Sequence, residues 1–237
     1  MRRAQSHVVG VVLLLGLTVL ALGGLTATVG TVIDGQTATA DATRVADTFR
    51  NGLEPVAQTG PGTTRVQFTD GRLTTAQRDL RVLNGSGVVR VVRIDALIYT
   101  AGGARAAFVA GAVTRGQPGE GWLVSDPPVT VTRTNDTLVV GAPRVNASGG
   151  AVAGDAVTAR VRTNVTHTRE RLPSDDYRVA IETRTPEAFG RYFRRIGLST
   201  TIRDIDGDGT PSVVASVGGR ETVYLIGHDM RTEVAHG

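Results

Sequence analysis

The chain contains no cysteine and, although 26 of its 237 residues are basic, no lysine; aromatic residues make up only 4%. Without thiols there is no disulfide, no zinc–thiolate site and no thiol nucleophile, so the folded parts are held by packing alone. Basicity with a net charge of +4 raises the question of a nucleic-acid partner. Such a partner calls for a basic stripe with interleaved stacking side chains. Here the arginines are scattered among carboxylates and threonines, with only short pairs such as Arg194 and Arg195, and no nucleic-acid partner is expected.

Catalytic signatures are missing too. The histidines, His7, His167, His228 and His236, show no spacing that sets two of them on one helix or strand for zinc. There is no Gly-x-Ser-x-Gly elbow, and Gly116, Gly119 and Gly121 before Trp122 lack the strand and helix context of a nucleotide loop. The chain is expected not to be an enzyme.

What is present is 41% hydrophobic residues, enough for a core but unevenly spread. No Asp, Glu, Lys or Arg falls between Arg3 and Asp34, and Val8 to Ile33 is dominated by Val, Leu, Gly, Ala and Thr. A helix of about 20 such residues crosses a hydrocarbon core of roughly 30 Å with its backbone satisfied internally. Arg2 and Arg3 precede the block, and Asp34 and Asp41 follow it. The positive-inside rule therefore places the N-terminus in the cytoplasm and the remainder outside. A secretory signal, with an apolar region of about 7 to 15 residues, is too short to match. The Ala38-Thr39-Ala40 triplet lies well beyond the block, and Ala4 to His7 lack the hydrophobic residues that follow a twin-arginine pair.

Beyond the block, Ala38, Ala42, Val45, Phe49, Leu53 and Val56 recur at spacings of three and four, which predicts an amphipathic continuation of the helix. Asp41 with Arg44, Asp47 with Arg50 and Arg50 with Glu54 are spaced for side-chain pairing on the opposite surface. Asn51-Gly52 and Pro55 mark the expected end.

The run Arg3-Ala4-Gln5-Ser6-His7-Val8-Val9-Gly10, leading into Val11 to Gly16, resembles a class III prepilin signal, nearest to haloarchaeal type IV pilin-like proteins. The resemblance implies that a membrane-embedded prepilin peptidase cuts between Ala4 and Gln5, leaving the apolar helix on the mature protein. It further implies other pilin-like subunits as partners through that helix, where Gly10, Gly16, Gly23, Gly24 and Gly30 suit close approach. A monomeric surface protein using the same signal is the alternative.

After Gly60 the pattern changes to short runs of Val, Ile and Thr broken by Gly, Asn and Asp. Val157, Ala159, Val161, Thr163 and Val165 alternate with polar neighbours, and Tyr177, Val179 and Ile181 repeat the pattern. One helix interrupts the strands. Thr185 is placed to cap it, Pro186 suits its first position, Phe189, Tyr192, Phe193 and Ile196 face inward, and Gly197 ends it. The stretch from Asp176 to Gly197 also resembles a segment of haloarchaeal pilin-like surface proteins.

Asp204, Asp206 and Asp208, with Gly207 and Gly209, match the opening of a calcium loop. Ala215 stands where an EF-hand needs its bidentate glutamate, which leaves a looser calcium site on a hairpin or a plain turn. Asn84, Asn135, Asn146 and Asn164 each begin a glycosylation sequon.

The expectation is thus an α+β chain with a leader over 1–4, a helix over 5–58 that spans a membrane at about 8–33, and a β-rich extracellular domain over 59–237. That domain is expected to be a mainly antiparallel sandwich or curled sheet with one short helix. The expected role is a minor pilin-like subunit, structural and adhesive at the cell surface; an ion- or glycan-binding module is a further alternative.

Overall fold

Alternating β-branched residues from Gly60 onward build strands, and a chain with this many of them must close sheets over apolar faces. The computed structural model describes the backbone of residues 3–132, 136–147 and 150–237, and the side chains of these except 3–11 and 23–34. The side chains of Arg3, Ala4 and Gln5, and the surroundings of Gly10, Gly23, Gly24 and Gly30, lie outside the described residues, as does Arg2. The chain forms two compact units, Met1–Thr37 and Ala38–Gly237.

Helix α1 runs from Arg3 to Gly52. In the first unit its described apolar side chains, between Val12 and Leu22, are 60–75% exposed. This corrects the expected fold. Among the described residues no helix is long and apolar enough to cross a membrane. Nor is the balance α+β: strands predominate over helices among the described residues, and the protein is mostly β.

The second unit carries the strands. They are β1 (Gly60–Phe68), β2 (Arg72–Ala76), β3 (Asp79–Asn84), β4 (Gly87–Arg93), β5 (Ala96–Ala101), β6 (Ala104–Val109), β7 (Ala112–Arg115) and β8 (Trp122–Ser125). Then follow β9 (Val129–Thr132), β10 (Thr137–Arg144), β11 (Val152–Ala153), β12 (Val157–Glu182), helix α2 (Pro186–Arg195), β13 (Ser199–Arg203), β14 (Ser212–Asp229) and β15 (Glu233–His236). One sheet has the order β11-β2-β5-β6-β7-β8; the other runs β4-β3-β12-β14-β10-β9, with β1 and β15 also on β12 and β13 on β14. Pairing is antiparallel except between β10 and β14, which are parallel.

The 26-residue β12 organises this unit. Its first part pairs with β1 and β15, and its later part with β14 and β3. Register shifts between Leu172 and Asp175 and between Asp176 and Arg178 carry the strand past Pro173 without ending it.

Two apolar cores result. In one, Ala38, Ala42, Val45, Ala46, Phe49 and Leu53 of α1 and its exit meet Val66, Phe68, Leu97, Tyr99, Phe108 and Val161. Val56, expected to extend this stripe, is exposed instead. The helix stops where its backbone approaches β1. A Cβ on Gly52 would lie 2.5 Å from the Thr64 methyl, and the Thr64 hydroxyl donates to the free Gly52 carbonyl at 2.8 Å.

Asp41 also departs from expectation. It ion-pairs with Arg44 at 3.0 Å, yet it is buried, because its carboxylate accepts the amides of Thr69 at 2.6 Å and Asp70 at 3.4 Å in the β1–β2 turn. In the other core, Phe189, Tyr192 and Phe193 of α2 pack with Leu80, Val129, Val140, Ile181 and Val213, and Tyr192 donates to the Val129 carbonyl at 2.6 Å. Thr185 makes no side-chain cap; its hydroxyl pairs with that of Thr183 at 3.3 Å.

Candidate functional site

The loop between β13 and β14 follows from its own composition. Asp204 turns its carboxylate back on the amides of Gly207 and Gly209, each at 2.9 Å, and both glycines hold left-handed φ values of +77° and +79°. Those amides, with Gly209 foremost, hold the Asp204 carboxyl below the usual carboxylate range. Asp208 accepts the Thr210 amide at 2.7 Å. Ligand oxygens of Asp204, Asp206 and Asp208 lie within 4.8 Å of one another, so the structure does bring these three together.

Asp206 belongs equally to a second cluster. Its carboxylate takes a hydrogen bond from the Arg81 guanidinium, which also holds Asp79 at 2.9 Å and Glu182 at 3.3 Å. Oxygens of Asp79, Glu182 and Asp206 also sit within 4.8 Å. Arg81 is buried, as is Glu182, whose carboxyl is raised by burial first and by Asp208 next, against the pull of Arg78 and Arg81. A calcium ion at Asp206 would therefore compete with an arginine already in place. The aspartate spacing was legible in the sequence. Arg81 was not, since it arrives from a strand 125 residues away from Asp206.

A pair that reading along single elements misses is His167 on β12 and His228 on β14. They are register partners across the two strands. Their Nδ1 atoms lie 2.8 Å apart, with the rings at 83°. His167 is exposed and His228 is buried. The His167 Nε2 is 2.8 Å from the Thr59 hydroxyl and 3.1 Å from the Gln58 carbonyl. Burial, and then the His167 ring, holds the His228 imidazole below the ordinary histidine range. Only strand register reveals this pairing.

The sequons differ in their surroundings. Asn84 is committed: its amide donates to Asp175 at 2.8 Å, and its Oδ1 accepts the Ser86 amide at 2.9 Å. Asn146 is exposed and donates to Asp229 at 3.3 Å, while Ser148 of its sequon lies outside the described residues. Asn164 and Thr166 both stand exposed on β12. Asn135 lies outside the described residues.

Neither curated proteins nor solved structures provide a match to this chain. Residues 3–233, which take in the helix, both cores and both polar clusters, match a family described as of unknown function, DUF7289, and the chain belongs to that family.

Proposed function

We propose that this chain is a type IV pilin-like structural subunit at the cell surface, cut between Ala4 and Gln5 by a prepilin peptidase and assembled with other pilin-like subunits through α1. The observation that carries this reading is the division of labour along one unbroken helix. Ala38 to Leu53 contribute to the core of the β unit, whereas the large apolar side chains between Val12 and Leu22 are 60–75% exposed. A contiguous exposed apolar surface calls for a partner, and each Leu or Val side chain removed from water is worth about 1.5–3 kcal/mol. A bundle of like helices supplies that burial.

The test is the mature N-terminus, determined with and without the peptidase, followed by a search for the protein in sheared filaments. A start at Gln5 together with filament incorporation is expected. A start elsewhere would overturn the reading. Processing at Gln5 without incorporation would favour a surface glycoprotein that stays monomeric, the role for which the exposed Asn164 and Thr166 on β12 speak.

A further inference from the structure

We propose that the face of β12, β14 and β13 opposite α2 binds a phosphate or sulfate monoester group through Arg178 and Arg203. Register partners on antiparallel strands carry their side chains on one face. Val179, Ile181, Val213 and Ala215 take the core face under α2. On the other face Arg178 of β12 stands opposite Ser216 of β14, and Ser216 stands opposite Ser199 of β13. Thr201 and Arg203 follow Ser199 on that face by alternation. These five residues and Val214 line one cleft of about 280 Å³.

The positive charge in this cleft is unmatched. No acidic residue lines it, and neither Arg178 nor Arg203 forms an ion pair among the described residues. The Arg178 Nη2 donates to the Asn84 carbonyl at 2.8 Å, and its Nε is buried without an acceptor. Further along the same face of β12 the charges are balanced: Glu182 has Arg81 at 3.3 Å and Arg78 at 3.6 Å. Asp204 follows Arg203 in the chain and lines an adjoining groove that shares both arginines. Its carboxylate is instead turned onto the Gly207 and Gly209 amides. Two guanidinium groups in a concave site without a counter-charge attract an anion.

The donor set selects the kind of anion. A guanidinium fork fits the oxygens of a phosphate or sulfate as it fits those of a carboxylate. A carboxylate offers only two oxygens, whereas this cleft adds three hydroxyls to its two guanidinium groups. The Ser199 hydroxyl reaches the Ser216 carbonyl only at 3.4 Å, and the hydroxyls of Thr201 and Ser216 have no protein partner among the described residues. A monoester group, with three peripheral oxygens, can use the whole set. No aromatic ring lines the cleft, so recognition rests on the oxyanion and not on stacking of its carrier. The donors stand on paired strands, which fix their positions before the ligand arrives. The site does not depend on assembly through α1.

The test is calorimetric titration of the full-length protein at low ionic strength with sodium phosphate and sodium sulfate, then with glucose 6-phosphate and glucose 6-sulfate. One anion per chain is expected. Arg203→Met should weaken binding by more than about tenfold, the loss of a charge-assisted contact. Arg178→Lys, which keeps the charge but not the fork, should lose less than Arg178→Met. Arg72→Met, which removes an exposed arginine from the other sheet, should change the affinity by less than about twofold. Arg203 is exposed, so its variant decides the matter even if Arg178→Met impairs folding. Preference for either ester supports the proposal and identifies the source of the group. Absence of saturable binding, binding of the inorganic ions but of neither ester, equal losses in the Arg72→Met and Arg203→Met proteins, or competition by acetate as effective as by sulfate would each overturn it.

Discussion

The carboxylate of Asp41 accepts the main-chain amide of Thr69 at 2.6 Å, tying the inner half of α1 to the turn between β1 and β2. The same turn is held from the other side by Tyr99, whose hydroxyl donates to the Asp70 carbonyl at 2.6 Å. Burial, then the nearby Asp41 and Asp70 charges, raises the Tyr99 phenol above its ordinary range.

Asp41→Ala leaves the Thr69 and Asp70 amides without their carboxylate. Urea denaturation should show a loss of about 2–3 kcal/mol, the cost of orphaning buried polar groups. Asp41→Asn, which keeps an acceptor oxygen, should lose less. Equal losses in the two variants would mean that the contact to Thr69 matters little.

Phe49 is fully buried between α1 and the sheets. Its replacement by alanine should cost about 3–5 kcal/mol, read as a drop in the urea midpoint. Val56→Ala, at a position the sequence pattern alone would rank with Phe49, should move the midpoint very little because Val56 is 53% exposed.

The single guanidinium of Arg81 pairs with the carboxylates of Asp79, Glu182 and Asp206, and Arg78 lies 3.6 Å from Glu182 as well. Arg81→Met should therefore destabilise by about 3–5 kcal/mol at neutral pH, because it strands buried carboxylate charge. The deficit should shrink on acidification as those carboxyls take up protons, and millimolar calcium should restore part of it as a substitute hard cation. By contrast, Asp206→Asn should cost less than about 1 kcal/mol, since the Asp206 side chain is 41% exposed.

Glu221 is buried, and no ion pair to it occurs among the described residues; burial first, and Asp136 second, raise its carboxyl. A group that holds its proton more tightly when folded makes stability fall as pH rises from the unfolded pKa, about 4.3, through the folded one. Glu221→Gln should consequently melt higher than the parent at pH 7, by an increment that disappears as the pH drops below about 4. A melting temperature that is unchanged or lowered at pH 7 would contradict this account.

Much of the local structure is legible in the sequence, because periodicity reports burial. The stripe from Ala38 to Leu53 and the inward aromatics of α2 lie in the two cores as their spacing implies. What periodicity cannot see is partnership. Asp41 reads as a surface partner of Arg44, yet the β1–β2 turn arrives to bury it. Val157 to Val165 and Tyr177 to Ile181 read as two separate alternating runs, yet β12 joins them through two register shifts. The aspartates of the β13–β14 loop announce themselves by spacing. Arg81 and the His167–His228 pair depend on contacts between residues far apart in the chain. The membrane span that the uncharged N-terminal block implies is not found: among the described residues no helix is long and apolar enough to cross a membrane.

The length of β12 has a further consequence. Its early residues Ala159, Val161 and Val165 sit in one core, and its later residues Leu172, Tyr177, Val179 and Ile181 sit in the other. Neither core can therefore come apart while the strand stays paired along its whole length. Opening either half removes a scaffold from its neighbour, so the main-chain amides of β12 should exchange with solvent only when the entire β unit opens.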